Sequence, residues 1–277
     1  MKTPMAAILG KGGVGKTFLT AHLAMAFSYL GSRTLVVGCD QKRDTQRALC
    51  PTTAPSIMER LEAQGYDYRA IEPGEVLVAA SKYVDVVELG PGPLLMADYS
   101  AVYDQAFHYF DVHHLLEGYA QVLFDVTEER FDASQIPLFR RASSAVPITD
   151  ESLESLFVLN RMLRAVLIGG YELELPVRIL GMVNNRSSDP RVFARYAERT
   201  QCPALMNIPL DGELAALRGS RRTVFADKDP PRHLDALIDG FLKIAQQIQS
   251  GPFLLDAIIP LEDAEVWTLG DGMGQRN

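Results

Sequence analysis

The feature that most limits what this chain can become is Gly10-Lys11-Gly12-Gly13-Val14-Gly15-Lys16-Thr17, set between an apolar run, Met5–Leu9, and a helical pattern. In that pattern Leu19, Leu23, Phe27 and Leu30 recur at helical spacing, and Gly31 stands where a C-terminal cap belongs. Glycines at a strand-to-helix junction permit dihedrals denied to other residues, so consecutive backbone N–H groups can converge on one anion. The helix start adds its positive dipole end. In such a loop Gly12, Gly13, Val14 and Gly15 cradle phosphate, the Lys16 ammonium reaches the β- and γ-phosphates, and the Thr17 hydroxyl ligates Mg²⁺.

The rest of the chain repeats the same alternation. Apolar runs at Thr34–Gly38, Val84–Leu89, Gln121–Val126, Ser144–Ile148, Arg178–Val183 and Ala204–Ile208 read as buried strands. Helices are predicted at Glu151–Leu167, with Thr149-Asp150 as capping candidates, at Arg191–Arg199, and at Pro231–Ile248 behind a proline pair. The pattern implies an α/β fold: a doubly wound, mostly parallel sheet of about seven to eight strands with helices on both faces. Residues 90–120 show no clean period. We expect one nucleotide-binding domain over residues 1–250 and a partly ordered tail over 251–277.

Composition removes several function classes. A formal charge of −8 gives no general attraction to nucleic acid or to an anionic bilayer. No run approaches a membrane span, so neither nucleic-acid binding nor membrane insertion is expected. Cys39, Cys50 and Cys202 lack CxxC spacing, which suggests neither a disulfide framework nor a zinc site and fits a reducing cytoplasm. His108 and His113 do not share a helix face, so with His114 they read as surface or core histidines.

With Lys11 included, Lys-Gly-Gly-Val-Gly-Lys-Thr resembles the deviant Walker A loop of the nitrogenase iron protein and of MinD/ParA-type ATPases. The resemblance implies ATP or ADP with Mg²⁺, a homodimer, and a role for Lys11 as a charge clamp on the partner's nucleotide, comparable to an arginine finger. Gly38-Cys39-Asp40-Gln41-Lys42-Arg43-Asp44 resembles the switch segment of nitrogenase iron proteins and of the ATPase subunits of dark-operative protochlorophyllide and chlorophyllide reductases. It implies that Asp40 orients the attacking water, and that Asp44 couples the Mg²⁺ shell to a partner surface. Lys11, Lys16 and Asp40 are thus the catalytic candidates. Val122-Leu123-Phe124-Asp125-Val126 resembles a Walker B strand, making Asp125 with Thr17 the magnesium candidate. Asp150–Val158 with Asn160 is similar to a helix of chlorophyllide reductase ATPase subunits. Gly181–Asn185 and Ile208–Asp211 are similar to that group's adenine-side segments, so Asn185, Pro209 and Asp211 become base contacts.

The pattern breaks where an iron protein holds its [4Fe–4S] cluster. After Glu88-Leu89-Gly90-Pro91-Gly92-Pro93 the chain runs to Met96-Ala97 with no cysteine, and seven residues after Asp125 it has Asp132. A glycine of the second switch is replaced by Glu128, followed on from Thr127 and leading to Glu129, which adds bulk and negative charge near an anion. The sequence therefore predicts a cluster-free, nucleotide-dependent switch or assembly partner, set in a bacteriochlorophyll or photosynthetic context by the resemblance and meeting a larger protein partner. One rival is an ATP-dependent electron-donating iron protein subunit. A second is a MinD/ParA-like positioning ATPase, which needs a basic patch or an amphipathic tail. The tail with Asp256, Glu262, Asp263 and Glu265 is acidic, and Arg218, Arg221 and Arg222 read as a solvated face. A third is a pseudo-ATPase with a structural nucleotide.

Overall fold

In the computed structural model, which describes residues 3–91, 99–126, 133–226, 231–251 and 258–271, β1 (Met5–Leu9) lies at the centre of a nine-stranded sheet. Around it run β2 (Thr34–Gly38), β3 (Val78–Ser81), β4 (Val84–Glu88), β5 (Gln121–Asp125), β6 (Ser144–Thr149), β7 (Arg178–Ile179), β8 (Met182–Ser187) and β9 (Ala204–Pro209). The order is β3-β4-β2-β5-β1-β6-β8-β9, with β7 paired to β6. Every pairing is parallel except β3 with β4.

A parallel sheet is covered on both faces, so its strands are apolar on both sides. β1 shows this residue by residue: Met5, Ala7 and Leu9 enter one core, and Ala6 and Ile8 enter the other. The first core takes α3 (Ile57–Ala63), α4 (Ser100–Val112), α6 (Leu153–Glu172) and α7 (Arg191–Thr200). The second takes α1 (Lys16–Tyr29) and α9 (Asp235–Ser250). Short helices α2 (Asp44–Leu49), α5 (Ile136–Phe139), α8 (Gly212–Gly219) and α10 (Asp263–Trp267) complete the set among the described residues.

The doubly wound architecture is as expected, with differences in detail. The run Arg178–Val183 is two strands, because Gly181 at φ 145° turns the chain between them. The edge strand β3 escaped the sequence reading. α6 starts at Leu153 rather than Glu151, because Ser152 is its cap: the Ser152 hydroxyl accepts from Ser155 N–H, and Asp150 instead accepts from Ser152. The proline pair precedes a short 3₁₀ turn, Arg232–Leu234, and α9 proper begins at Asp235. Gly31 does end α1. Its N–H binds Ser28 O and that of Ser32 binds Phe27 O, with Gly31 at φ 72°. Residues 90–120 contain α4, whose buried Tyr103, Phe107 and Phe110 pack on the sheet. Beyond α9, Leu261, Val266 and Leu269 are buried against the first core.

Candidate nucleotide site

The loop after β1 lies at the C-terminal edge of the sheet, where the strand order runs outward in both directions from β1, the crevice in which open α/β sheets bind ligands. Gly13 (φ 75°) and Gly15 (φ 109°) adopt left-handed backbone. Lys16 is buried and folds back over the loop, its Nζ donating to Gly10 O and Lys11 O, both at 2.9 Å. The ammonium is thereby held at the centre of the loop. Asn185, within β8, donates its amide to Val14 O at 2.7 Å and packs against Gly15, so the loop is also tied to the far half of the sheet. Lys11, at the start of the loop, is half-buried.

Asp125 ends β5 fully buried. Its Oδ2 accepts from Thr45 Oγ1 at 2.9 Å. Burial raises its pKa, while the Thr17 and Thr45 hydroxyls and the Lys16 charge act in the opposite direction. Oδ1 is buried with no well-directed hydrogen bond of its own. A buried carboxylate next to the Thr17 hydroxyl and the loop, with one oxygen lacking a well-directed hydrogen bond, fits a hydrated divalent cation. Thr17 and Asp125 are the residues that would hold Mg²⁺, and when bound it would neutralise phosphate charge there.

The segment after β2 closes the site from the side. Asp40 is half-buried, and its Oδ1 accepts from Lys42 N–H at 3.0 Å. Arg43 at φ 57° then turns the chain into α2. Asp44 is exposed and pairs with Arg47 at 3.3 Å. Asp40 and Asp44 both line a cavity of about 980 Å³ that also takes in Gly12, Gly13, Gly15, Lys16 and Thr17.

That cavity runs along α1 past Phe18, His22 and Met25 to Arg218, Arg221, Arg222 and Phe225. The three arginines, read from sequence as a solvated face, are exposed but form its outer wall. Pro209 and Asp211, expected at the base, are not among the residues lining this cavity. Asp211 caps α8, accepting from Glu213 N–H at 2.8 Å and Leu214 N–H at 3.0 Å. Asn185 contacts the loop rather than the cavity.

Sequence reasoning missed Glu88 and Thr45. Glu88 is completely buried at the end of β4, and its Oε1 accepts from Gln46 N–H at 2.6 Å. Burial pushes its carboxyl up to about 8, helped by the charges of Asp125 and Asp40 and opposed by the Gln46 N–H. The available signal was a carboxylate closing a strand whose buried residues before it, Val84, Val86 and Val87, are apolar.

The thiols do not fit an iron–sulfur cluster. Cys39, Cys50 and Cys202 are all buried. Cys39 Sγ contacts Val37 O and Cys50 Sγ contacts Val78 O, while burial pushes the thiols of Cys50 and Cys202 up to about 12. Thiols buried in separate parts of the core are poorly placed to share an iron cluster. Met96, Ala97, Thr127, Glu128, Glu129, Asp132 and Asp256 lie outside the described residues. Each of the three histidines is engaged elsewhere: His108 with the Tyr68 ring, His113 with Tyr68 O, His114 with Glu117. Among the described residues no group of three or more His, Cys, Asp or Glu is arranged to hold a metal, and no helix is long and apolar enough to cross a membrane.

The chain is 29% identical over 276 residues to the light-independent protochlorophyllide reductase iron-sulfur ATP-binding protein of a Synechococcus species, covering 97% of this chain and 90% of that one. The protein of the same name from Methylorubrum populi is 28% identical over 263 residues, 94% of this chain and 86% of its own. In fold, the septum site-determining protein MinD of Pyrococcus horikoshii, solved with Mg-ADP, superposes with a TM-score of 0.64 at 17% identity, covering 89% of this chain and 95% of that one. Residues 5–269 match the profile of the 4Fe-4S iron sulfur cluster binding proteins of the NifH/frxC family, and the chain belongs to that family.

Proposed function

We propose that this protein is a MgATP- and MgADP-binding switch of the NifH/frxC family that works as a homodimer without its own cluster. The observation that carries the nucleotide part is the buried Lys16 ammonium held at Gly10 O and Lys11 O beside a buried carboxylate, Asp125, one oxygen of which has no well-directed hydrogen bond. Lys16 and the amides of Gly12, Gly13, Val14 and Gly15 hold phosphate. Thr17 and Asp125 hold Mg²⁺. Lys11, at the start of the loop, reaches the partner copy's nucleotide, and Asp40 orients water for slow hydrolysis. Asp44 faces outward and carries the nucleotide state to a larger protein partner.

The burial of all three thiols supports the cluster-free part. The relatives' names, which join protochlorophyllide reductase to ATP binding, support a setting in (bacterio)chlorophyll chemistry. Those same names contain an iron–sulfur protein, so the electron-donating alternative is tested beside the main reading. Anaerobically purified protein is assayed for iron, sulfide and bound nucleotide, and its mass is measured in ATP and in ADP. The proposal expects an iron-free, colourless protein that binds MgADP, becomes dimeric with ATP, and loses binding in Lys16→Ala. About four iron atoms per dimer would establish the electron-donating reading instead. Unchanged nucleotide binding in Lys16→Ala would end the proposal.

A further inference from the structure

Across the C-terminal edge of the sheet three residues lie in register: Glu88 on β4, Gly38 on β2 and Asp125 on β5. The middle one has no side chain, and the space over it is taken from both sides. A methyl group at Gly38 would overlap Glu88 Oε2 and crowd Thr45 Oγ1. Thr45 therefore sits over the bare glycine, with Glu88 on one side and Asp125, to which its hydroxyl donates at 2.9 Å, on the other.

Thr45 belongs to the first turn of α2, which the backbone enters from Arg43 at φ 57° with no side-chain cap of its own. Its first-turn N–H groups must be satisfied from elsewhere. Glu88 does this across the fold, accepting from Gln46 N–H at 2.6 Å, with the Thr45 N–H also favouring its charged form. Arg43 is anchored separately by Glu59 at 2.5 Å. From the sheet side the first turn of α2 is held by the Glu88 carboxyl at the Gln46 N–H, together with the Gln46 side chain, whose Nε2 donates to Val76 O and Val86 O at 3.3 Å each.

We infer that Glu88 is a positioning residue for the magnesium site: by holding the first turn of α2 it sets the Thr45 hydroxyl that orients Asp125, and so leaves Asp125 Oδ1 directed at the cation shell. This rests on the reading of the site as a Mg-nucleotide pocket. A glutamine, which keeps the oxygen that accepts from Gln46 N–H, is the conservative replacement, and alanine removes it.

The test is calorimetric titration of the full-length protein with ADP, with and without Mg²⁺, for the native chain, Glu88→Gln, Glu88→Ala and Thr45→Val. The measured quantity is the factor by which Mg²⁺ strengthens ADP binding. Residues that orient a metal ligand typically change metal affinity by about 10–100-fold when removed. Glu88→Ala and Thr45→Val should each lose at least about tenfold of that factor, while Glu88→Gln stays within about threefold of native. ADP binding without Mg²⁺, which rests on the loop and Lys16, should move by less than about threefold in all of them. The inference is overturned by an intact magnesium factor in folded Glu88→Ala, by equal weakening with and without Mg²⁺, or by Glu88→Gln behaving like alanine. If Glu88→Ala does not fold, Thr45→Val decides, and an intact factor there overturns it. A native protein that shows no magnesium factor removes the Mg-nucleotide reading itself, and this inference with it.

Discussion

Asn185 Nδ2 donates to Val14 O across 2.7 Å, joining β8 to the phosphate loop although the two lie 171 residues apart in sequence. The same amide fills the space over Gly15, where any side chain would overlap it. Asn185 is therefore a brace for the loop's shape. Asn185→Leu leaves Val14 O buried without a donor, a loss of about 1–3 kcal/mol. Part of that cost falls on the loop geometry, so ADP affinity should drop roughly tenfold, since 1.4 kcal/mol corresponds to a factor of ten. Thermal unfolding and ADP titration measure the two effects. A lower melting temperature with unaltered ADP affinity would limit Asn185 to a structural role.

Asp125 illustrates how a binding site opposes stability. Burial raises its pKa, so the unfolded chain releases this proton at lower pH than the folded chain does. A raised acid pKa contributes stability that is present below the unfolded value and lost as pH rises. Asp125→Asn keeps an acceptor for Thr45 and removes the charge. The variant should be more stable than native without ligand by about 0.5–2 kcal/mol, with an advantage that grows as pH rises above the ordinary aspartate range, and should lose the stabilisation by Mg²⁺. Denaturant midpoints with and without MgADP check this. A destabilised variant would show that the carboxylate's hydrogen bonds outweigh its burial.

How much of this was legible follows from which forces are local. The loop residues could be read because their glycines answer a requirement of the backbone at that point, and β1, β2 and β5 because burial on both faces demands continuous apolar runs. β3 is an edge strand with no fully buried residue, so Val78–Ser81 lacks that run. α2 and α3, of 6 and 7 residues, are too short to display a period. The relation of Glu88 to Asp125 could not be read at all, since their strands do not touch and only β2, with Gly38, brings them together. Likewise Arg218, Arg221 and Arg222 become a cavity wall only when the turn after α8 docks on α1. Asp211 and Pro209 carried a family role by resemblance; in the fold Asp211 Oδ1 caps α8, a local demand that the resemblance does not mention.

The docking of that turn runs through His22. Its Nε2 accepts from Val224 N–H at 3.3 Å and its Nδ1 donates to Phe18 O at 2.8 Å, while the ring stacks on Phe241 at 4.8 Å. The ring is therefore neutral in the fold, and burial lowers its pKa to about 4 despite the Phe18 carbonyl. The unfolded chain takes up this proton below about pH 6.5, the folded chain only near 4. A lowered pKa contributes stability that is complete above the unfolded value and lost as pH falls toward the folded one. His22→Gln should cost stability at pH 7, and that deficit should shrink by roughly 3 kcal/mol on going to pH 4, because the native chain alone carries the penalty. Urea unfolding at several pH values measures it. A deficit independent of pH would mean that the ring is not held neutral.

Asn160 performs a second long-range clasp, on the face away from the cavity. Its Nδ2 donates to Leu261 O at 2.7 Å, and its Oδ1 accepts from Leu261 N–H at 2.9 Å and from Tyr196 O–H at 3.1 Å. One buried amide thus joins α6, α7 and the segment that carries α10. Arg164 also donates to Leu261 O at 2.7 Å, so in Asn160→Ala the carbonyl keeps a partner while the Leu261 N–H and Tyr196 O–H do not. Two buried donors without acceptors cost about 2–4 kcal/mol together. The loss should be local at first, because Leu261, Val266 and Leu269 are what fix this segment to the first core. Amide hydrogen exchange at Leu261 and Val266 should accelerate by at least about tenfold, with ADP affinity unchanged within about twofold because no residue of 258–271 lines the cavity. Exchange that stays at the native rate would show that apolar burial alone holds the segment and that the amide clasp is dispensable.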